Sequence, residues 1–160
     1  MALFHLLLSF ITVFFASTAF YFVWFAPDLL YHFYFGLVAT IAALVTHCWV
    51  FFYFIGTGEG IREGILENNL DASPIKLTKK FKGMTFPFAL FSMIFLIVAS
   101  ILGGALRFHR VSIYWHLGFV YFGLAFNLFS FWQENRVIRR NAKLMDELNA
   151  KVDAQEEQSV

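Results

Sequence analysis

The chain has 160 residues, of which 59% are hydrophobic, 21% aromatic and 14% charged, with a formal net charge of +1. An average soluble domain is roughly 25% charged, and one of this size could not hide 23 phenylalanines. An ordinary water-soluble domain is excluded, and with no basic patch interleaved with aromatics a nucleic-acid partner is not expected.

Charge-free runs dominate the chain and set the predicted elements, at residues 3–25, 29–56, 84–106 and 111–133. Each exceeds or approaches the roughly 20 apolar residues that a helix needs to cross a bilayer core. The first lacks a basic n-region and is longer than a signal-peptide core, so it reads as a retained helix. Ala26-Pro27-Asp28 then makes a tight turn, and the first two helices are expected to form an antiparallel hairpin. Cys48, within the second run, rules out an internal disulfide framework and reads as a small side chain in a helix interface.

Past the second run, Ile61 and Ile65 continue an amphipathic helix until Ala72-Ser73-Pro74 breaks it. The segment from Lys76 to Lys82, with Leu77 and Phe81, reads as interfacial. Pro87 falls in the first turn of the third span, where its missing N–H costs little. Ala99, Ser100, Gly103 and Gly104 form interleaved small-residue pairs that admit a neighbouring backbone. Phe108-His109-Arg110 is a second short turn, giving a second hairpin. After residue 133 the sequence is polar and helix-favouring, with Ile138, Met145 and Val152 at heptad spacing, Leu148 between them and Asn141 at an inner position. Two heptads are too few for a coiled coil; a docking handle for another subunit and a solvated helix end both fit.

The expected fold is therefore an all-α integral membrane protein: a four-transmembrane-helix bundle in residues 1–134 and a cytoplasmic helical tail in residues 135–160. Basic residues set its orientation. Arg62, Lys76, Lys79, Lys80 and Lys82 lie between the second and third runs, and Arg136, Arg139, Arg140, Lys143 and Lys151 after the fourth; the other side has only Arg107 and Arg110. By the positive-inside rule both termini are cytoplasmic, and a bacterial inner membrane is the expected location. Tyr21, Trp24, Tyr31, Tyr34, Tyr114 and Trp115 would belt the outer interface, with Tyr53 and Trp132 at the inner one.

Chemistry must come from the polar residues inside the spans. His32 and His47 are fifteen positions apart on one helix, about 22 Å along its axis, with Gly36, Ala39 and Ala43 on the same stripe. On the fourth helix His116, Gly123, Asn127 and Glu134 fall within about 20° of one another. The two turns put His32 level with His116, and the first hairpin brings His47 close to His5. Histidines inside a span are a functional hypothesis by default, and imidazole is a standard axial ligand for haem iron. His32 and His116 are the expected iron ligands, with His47 and His5 a weaker inner pair. Gly36 and Gly123 would leave room for a porphyrin, and Arg107, Arg110 and His109 outside, or Arg62 and Lys79 inside, could hold propionates. The bland alternatives are headgroup contact for His5, the aromatic belt for His32, and a hydrogen bond from His47 to Thr40, Asn127 or a backbone carbonyl.

The spans and histidine depths resemble the four-helix b-type cytochrome anchors of quinone-linked oxidoreductases. That resemblance implies haem b, a quinone and partner membrane subunits. The expected function is a small electron-transfer subunit of a larger membrane complex, with no catalytic residues of its own. The competing expectation is a cofactor-free accessory subunit that stabilises an assembly by helix packing. A transporter is disfavoured, since no span contains Asp, Glu, Lys or Arg.

Overall fold

The computed structural model describes residues 1–106, 108 and 110–159. Among them are four helices: α1 (Ala2–Trp24), α2 (Leu29–Glu67), α3 (Ser73–Leu106) and α4 (Ile113–Ser159). The described residues contain no strand. α1, α2 and α3 are long and apolar enough to cross a membrane, and the protein is an all-helical membrane protein.

The links between helices follow from local chemistry. After α1, Pro27 precedes Asp28, whose extended backbone and Oδ1 cap α2 by accepting from the Leu30 and Tyr31 amides at 2.9 and 3.2 Å. α2 ends at Asn68, and Asn69 takes a left-handed φ of 50°, a conformation asparagine tolerates better than most residues. Ser73 donates to Asp71 just ahead of α3, and this bond holds the Asp71 carboxyl below the usual carboxylate range.

As expected, the second helix continues through Ile61 and Ile65, whereas the place of Pro87 is corrected. The stretch between the second and third spans is almost entirely helical: α2 runs on through Gly56–Gly60 to Glu67, and α3 starts at Ser73. Lys76–Lys82 is thus the opening of α3, with Thr78 and Phe81 buried. Pro87 consequently lies inside α3 rather than in its first turn, where it cannot donate to the Gly83 carbonyl.

Packing is most extensive between α1 and α2 and between α3 and α4, with α2 also lying along α3. Aromatic pairs join the first two helices at Phe4–Trp49, Phe15–Phe35 and Phe22–Tyr31, and the second two at Phe95–Phe122 and Phe88–Phe129. Small and polar residues occupy the interior while large apolar ones face outward. Ala39, Ala43, Ala89 and Ala99 are buried; Phe10, Phe14, Phe52 and Ile101 are exposed. That inversion suits a lipid surround, where close backbone approach rather than water exclusion holds helices together. Cys48 is exposed, so it does not fill an interface within the chain.

The two helix pairs follow one plan. α1 buries His5, Ser9, Thr12 and Ala19; α3 buries Thr85, Ala89, Ser92 and Ala99 at the same spacing. α2 buries Ala39, Ala43, Thr46, His47 and Val50, while α4 buries Gly123, Asn127, Ser130, Phe131 and Glu134, again at the same spacing.

Beyond the apolar segments, the extensions of α2, α3 and α4 close on one another. Ile61, Ile65, Phe81, Val137, Ile138, Leu144 and Leu148 form a continuous buried cluster. Asn141 sits inside it, its Nδ2 donating to Tyr53 Oη at 3.2 Å and Thr57 Oγ1 at 3.0 Å. Tyr53 is therefore an interior residue rather than an interfacial anchor, and much of the heptad seam of α4 is spent within the chain. Ile61→Ala should lower stability by about 2–5 kcal/mol, the usual cost of truncating a fully buried aliphatic side chain. Leu66→Ala, 63% exposed, should leave thermal unfolding in detergent unchanged; equal losses for both would show that the cluster does not support the fold.

Candidate functional site

Histidines gather at both ends of the helix bundle. At one end His5 of α1, His47 of α2 and Glu134 of α4 are all fully buried. His5 Nε2 lies 2.9 Å from Glu134 Oε2, and His47 Nδ1 lies 2.7 Å from Oε1. Asn127, two helical turns before Glu134, donates from Nδ2 to His47 Nε2 at 3.1 Å. With Nε2 accepting, His47 carries its proton on Nδ1 and donates it to the carboxylate. Phe131 covers the group, its ring 5.2 Å from His47 and 6.0 Å from His5. One polar atom of the cluster, His5 Nδ1, has no hydrogen-bond partner.

The levels of His5 and His47 are as expected, and so is the His47–Asn127 contact weighed as an alternative. The hub, Glu134, shares the expected stripe with Asn127, one residue past the fourth apolar run, and takes both histidines. Asn127 and Glu134 share a face with period seven, and that face meets His47 on α2.

At the opposite end His32 and His116 face each other, ring centres 6.4 Å apart with planes at 86°. Each Nδ1 is 3.0 Å from a backbone carbonyl of the preceding helix, Ala19 for His32 and Ala99 for His116. Those two alanines are equivalent positions in the two helix pairs, so the histidines are held in the same way by the same part of the plan. Nδ1 therefore carries the proton in both rings, and neither Nε2 has a hydrogen-bond partner among the described residues. An imidazole that donates one ring N–H to a carbonyl and leaves the other nitrogen bare is in the state used for metal ligation.

The glycines behave differently from one another. A Cβ on Gly103 would meet His116 Cε1 at 2.9 Å, so this glycine makes the space that the ring occupies. Gly36 has nothing within 4 Å of its Cβ position, whereas Gly123 is packed against Phe95 at 3.4 Å. Gly123 thus brings α4 onto α3 rather than lining an open space.

Of the arginines expected near the His32–His116 end, Arg110 is exposed, its amide bonded to the Ala105 carbonyl at 3.2 Å. Arg107 and His109 lie outside the described residues. At the other end Arg62 pairs with Glu59 at 3.0 Å on the surface. Among the described residues no group of three or more His, Cys, Asp or Glu is arranged to hold a metal ion on its own. Small hydroxyl pairs add links that the sequence did not announce: Thr40 with Ser100 at 2.8 Å between α2 and α3, and Ser92 with Ser130 at 2.7 Å between α3 and α4.

No family model, curated protein or solved structure matches the chain.

Two substitutions test the ends separately. Glu134→Ala strands two buried imidazoles and should cost about 3–5 kcal/mol; Glu134→Gln, which keeps one acceptor, should cost less. Wild-type melting of Glu134→Ala would show that the carboxylate does not tie the helices together. Gly103→Ala should cost about 1–3 kcal/mol through overpacking against His116, while Gly104→Ala, with open space at its Cβ, should be silent. A silent Gly103→Ala would mean that the His116 ring is free to move.

Proposed function

We propose that the protein is a small integral-membrane subunit for electron transfer, holding one b-type haem between His32 and His116. The observation that carries this reading is the geometry of that pair. Metal–imidazole bonds of about 2 Å would put the ring centres of two opposed imidazoles on one metal roughly 6 Å apart, and these stand at 6.4 Å. Both rings have Nδ1 committed to a carbonyl and Nε2 bare, and they occupy equivalent positions on the two halves of the bundle. Bound there, a haem would supply one-electron transfer from a low-spin iron. The residues' part is to orient the two imidazoles through the Ala19 and Ala99 carbonyls and to keep them in apolar surroundings. Gly36 offers open space beside the pair, and Arg110 is a cation available to a propionate at this end; Arg107 is a second by sequence.

The membrane arrangement belongs to the same reading. α4 crosses beside α3, making two antiparallel hairpins; the aromatic pairs Phe4–Trp49 and Phe22–Tyr31 in one, and Phe88–Phe129 and Phe95–Phe122 in the other, fit that direction. Both termini lie in the cytoplasm, as the distribution of Lys and Arg favours, and the membrane is a bacterial inner membrane. A quinone and larger membrane subunits are the natural redox partners of such a subunit. The inner histidines are better read as structural than as haem ligands, since Glu134 already holds both.

One observation favours a cofactor-free accessory subunit instead: Gly123 is closed by Phe95 and leaves no room on the α4 stripe. Reduced-minus-oxidised spectra of purified protein decide between them. Haem bands lost in both His32→Ala and His116→Ala, but kept in His5→Gln, are expected. Absence of bands in wild type expressed with ample haem, or their survival in both variants, would leave the accessory subunit as the reading.

A further inference from the structure

Beside the buried Glu134 cluster, a cleft of about 430 Å3 opens between the first turns of α1 and the middle of α4. Its walls are largely apolar, made by Leu6, Phe131 and Trp132 with Ser9 and Asn135 between them, and its rim is cationic, made by Arg136 and Arg139. We propose that this cleft binds an anionic phospholipid, with the headgroup phosphate on Arg136 and Arg139 and an acyl chain along Leu6, Phe131 and Trp132.

α1 is long and apolar enough to cross a bilayer, so its first turns lie at an interface, and Leu6 lies there with them. Asn135 Nδ2 donates to the Ala2 carbonyl at 3.2 Å, which pins this part of α4 to the same level. Arg136 and Arg139, which follow Asn135 along α4, are therefore at headgroup height. Nothing in this placement depends on the haem.

Arg139 donates from Nε to Asn135 Oδ1 at 2.9 Å, which fixes the guanidinium plane and leaves its terminal N–H groups free. Arg136 lies over the Trp132 ring, 5.5 Å from its centre. Neither arginine has a carboxylate partner among the described residues: the adjacent acid, Glu134, is turned inward and taken by His5 and His47. Two unpaired guanidinium groups over an apolar wall match a phosphate ester with a hydrocarbon tail, because the planar fork bonds phosphate oxygens in pairs. A zwitterionic lipid brings its own cation to the same rim. A lipid with net negative charge does not, and is preferred.

The test uses the full-length protein in detergent, titrated with phosphatidylglycerol or phosphatidylcholine and read by native mass spectrometry. Phosphatidylglycerol should be retained in preference to phosphatidylcholine, with roughly fivefold weaker binding for each of Arg136→Gln and Arg139→Gln and no preference in the double variant. Leu6→Trp keeps both arginines but fills the groove, and it should also lose the bound lipid. Helix content and melting in phosphatidylcholine alone should match wild type for all four variants. Equal binding of the two lipids by wild type, or wild-type retention by the double variant, would overturn the proposal. So would unchanged retention in Leu6→Trp, which would make the rim a charged surface without a chain site. Displacement by millimolar inorganic phosphate would show an anion site that does not recognise a lipid.

Discussion

Glu134 is fully buried and accepts from His5 and His47, and the arrangement of three helices depends on that exchange. A carboxylate in apolar surroundings is costly unless its charge and lone pairs are met. Here α1 and α2 each deliver one ring nitrogen, and Asn127 sets the tautomer of the second ring from α4 itself. The positions along α1, α2 and α4 at which these side chains sit thereby fix how far each helix slides against the others. Phe131 and the buried Ser9 and Thr12 then pack around an alignment already set.

The same accounting governs the rest of the interior. Thr12, Thr46 and Thr85 return their hydroxyl protons to carbonyls one turn back, while Ser92 and Ser130 meet across α3 and α4. Hydrophobic burial cannot drive association between helices that are already in hydrocarbon, so small residues and paired polar groups do the selecting. Phenylalanine, the commonest aromatic here, is left mostly to the outside and to the helix-pair seams. Satisfaction is incomplete at both ends: His5 Nδ1 and Asn141 Oδ1 are buried without a partner, and His32 and His116 each commit only Nδ1 to a carbonyl.

Past the apolar stretches of α2 and α3, where α4 packs against both, the packing rule changes. Ile61, Ile65, Phe81, Ile138 and Leu148 form a water-excluding cluster of the ordinary soluble kind. Asn141, which the heptad pattern presents as a device for choosing a partner helix, is used inside the chain by Tyr53 and Thr57. The extended helices thus brace one another, and the end of the bundle that carries Glu134 is the more heavily supported.

By itself the sequence determined the helical class, the apolar segments, the levels of the histidines and the faces they share. These follow from local composition and from the fixed rise and turn of a helix, which need no tertiary information. The tertiary structure decided what each polar group is paired with. Glu134 looked like the first residue beyond a span, yet α4 continues unbroken through it and side chains of α1 and α2 close on it. Pro87 looked like a helix start, yet Phe81 and Thr78 gain burial by extending α3 back to Ser73. Gly123 and Gly36 looked alike on their stripes, yet one is filled by Phe95 and the other is open. In each case periodicity states which face a residue occupies, and only the neighbouring helix states what that face meets.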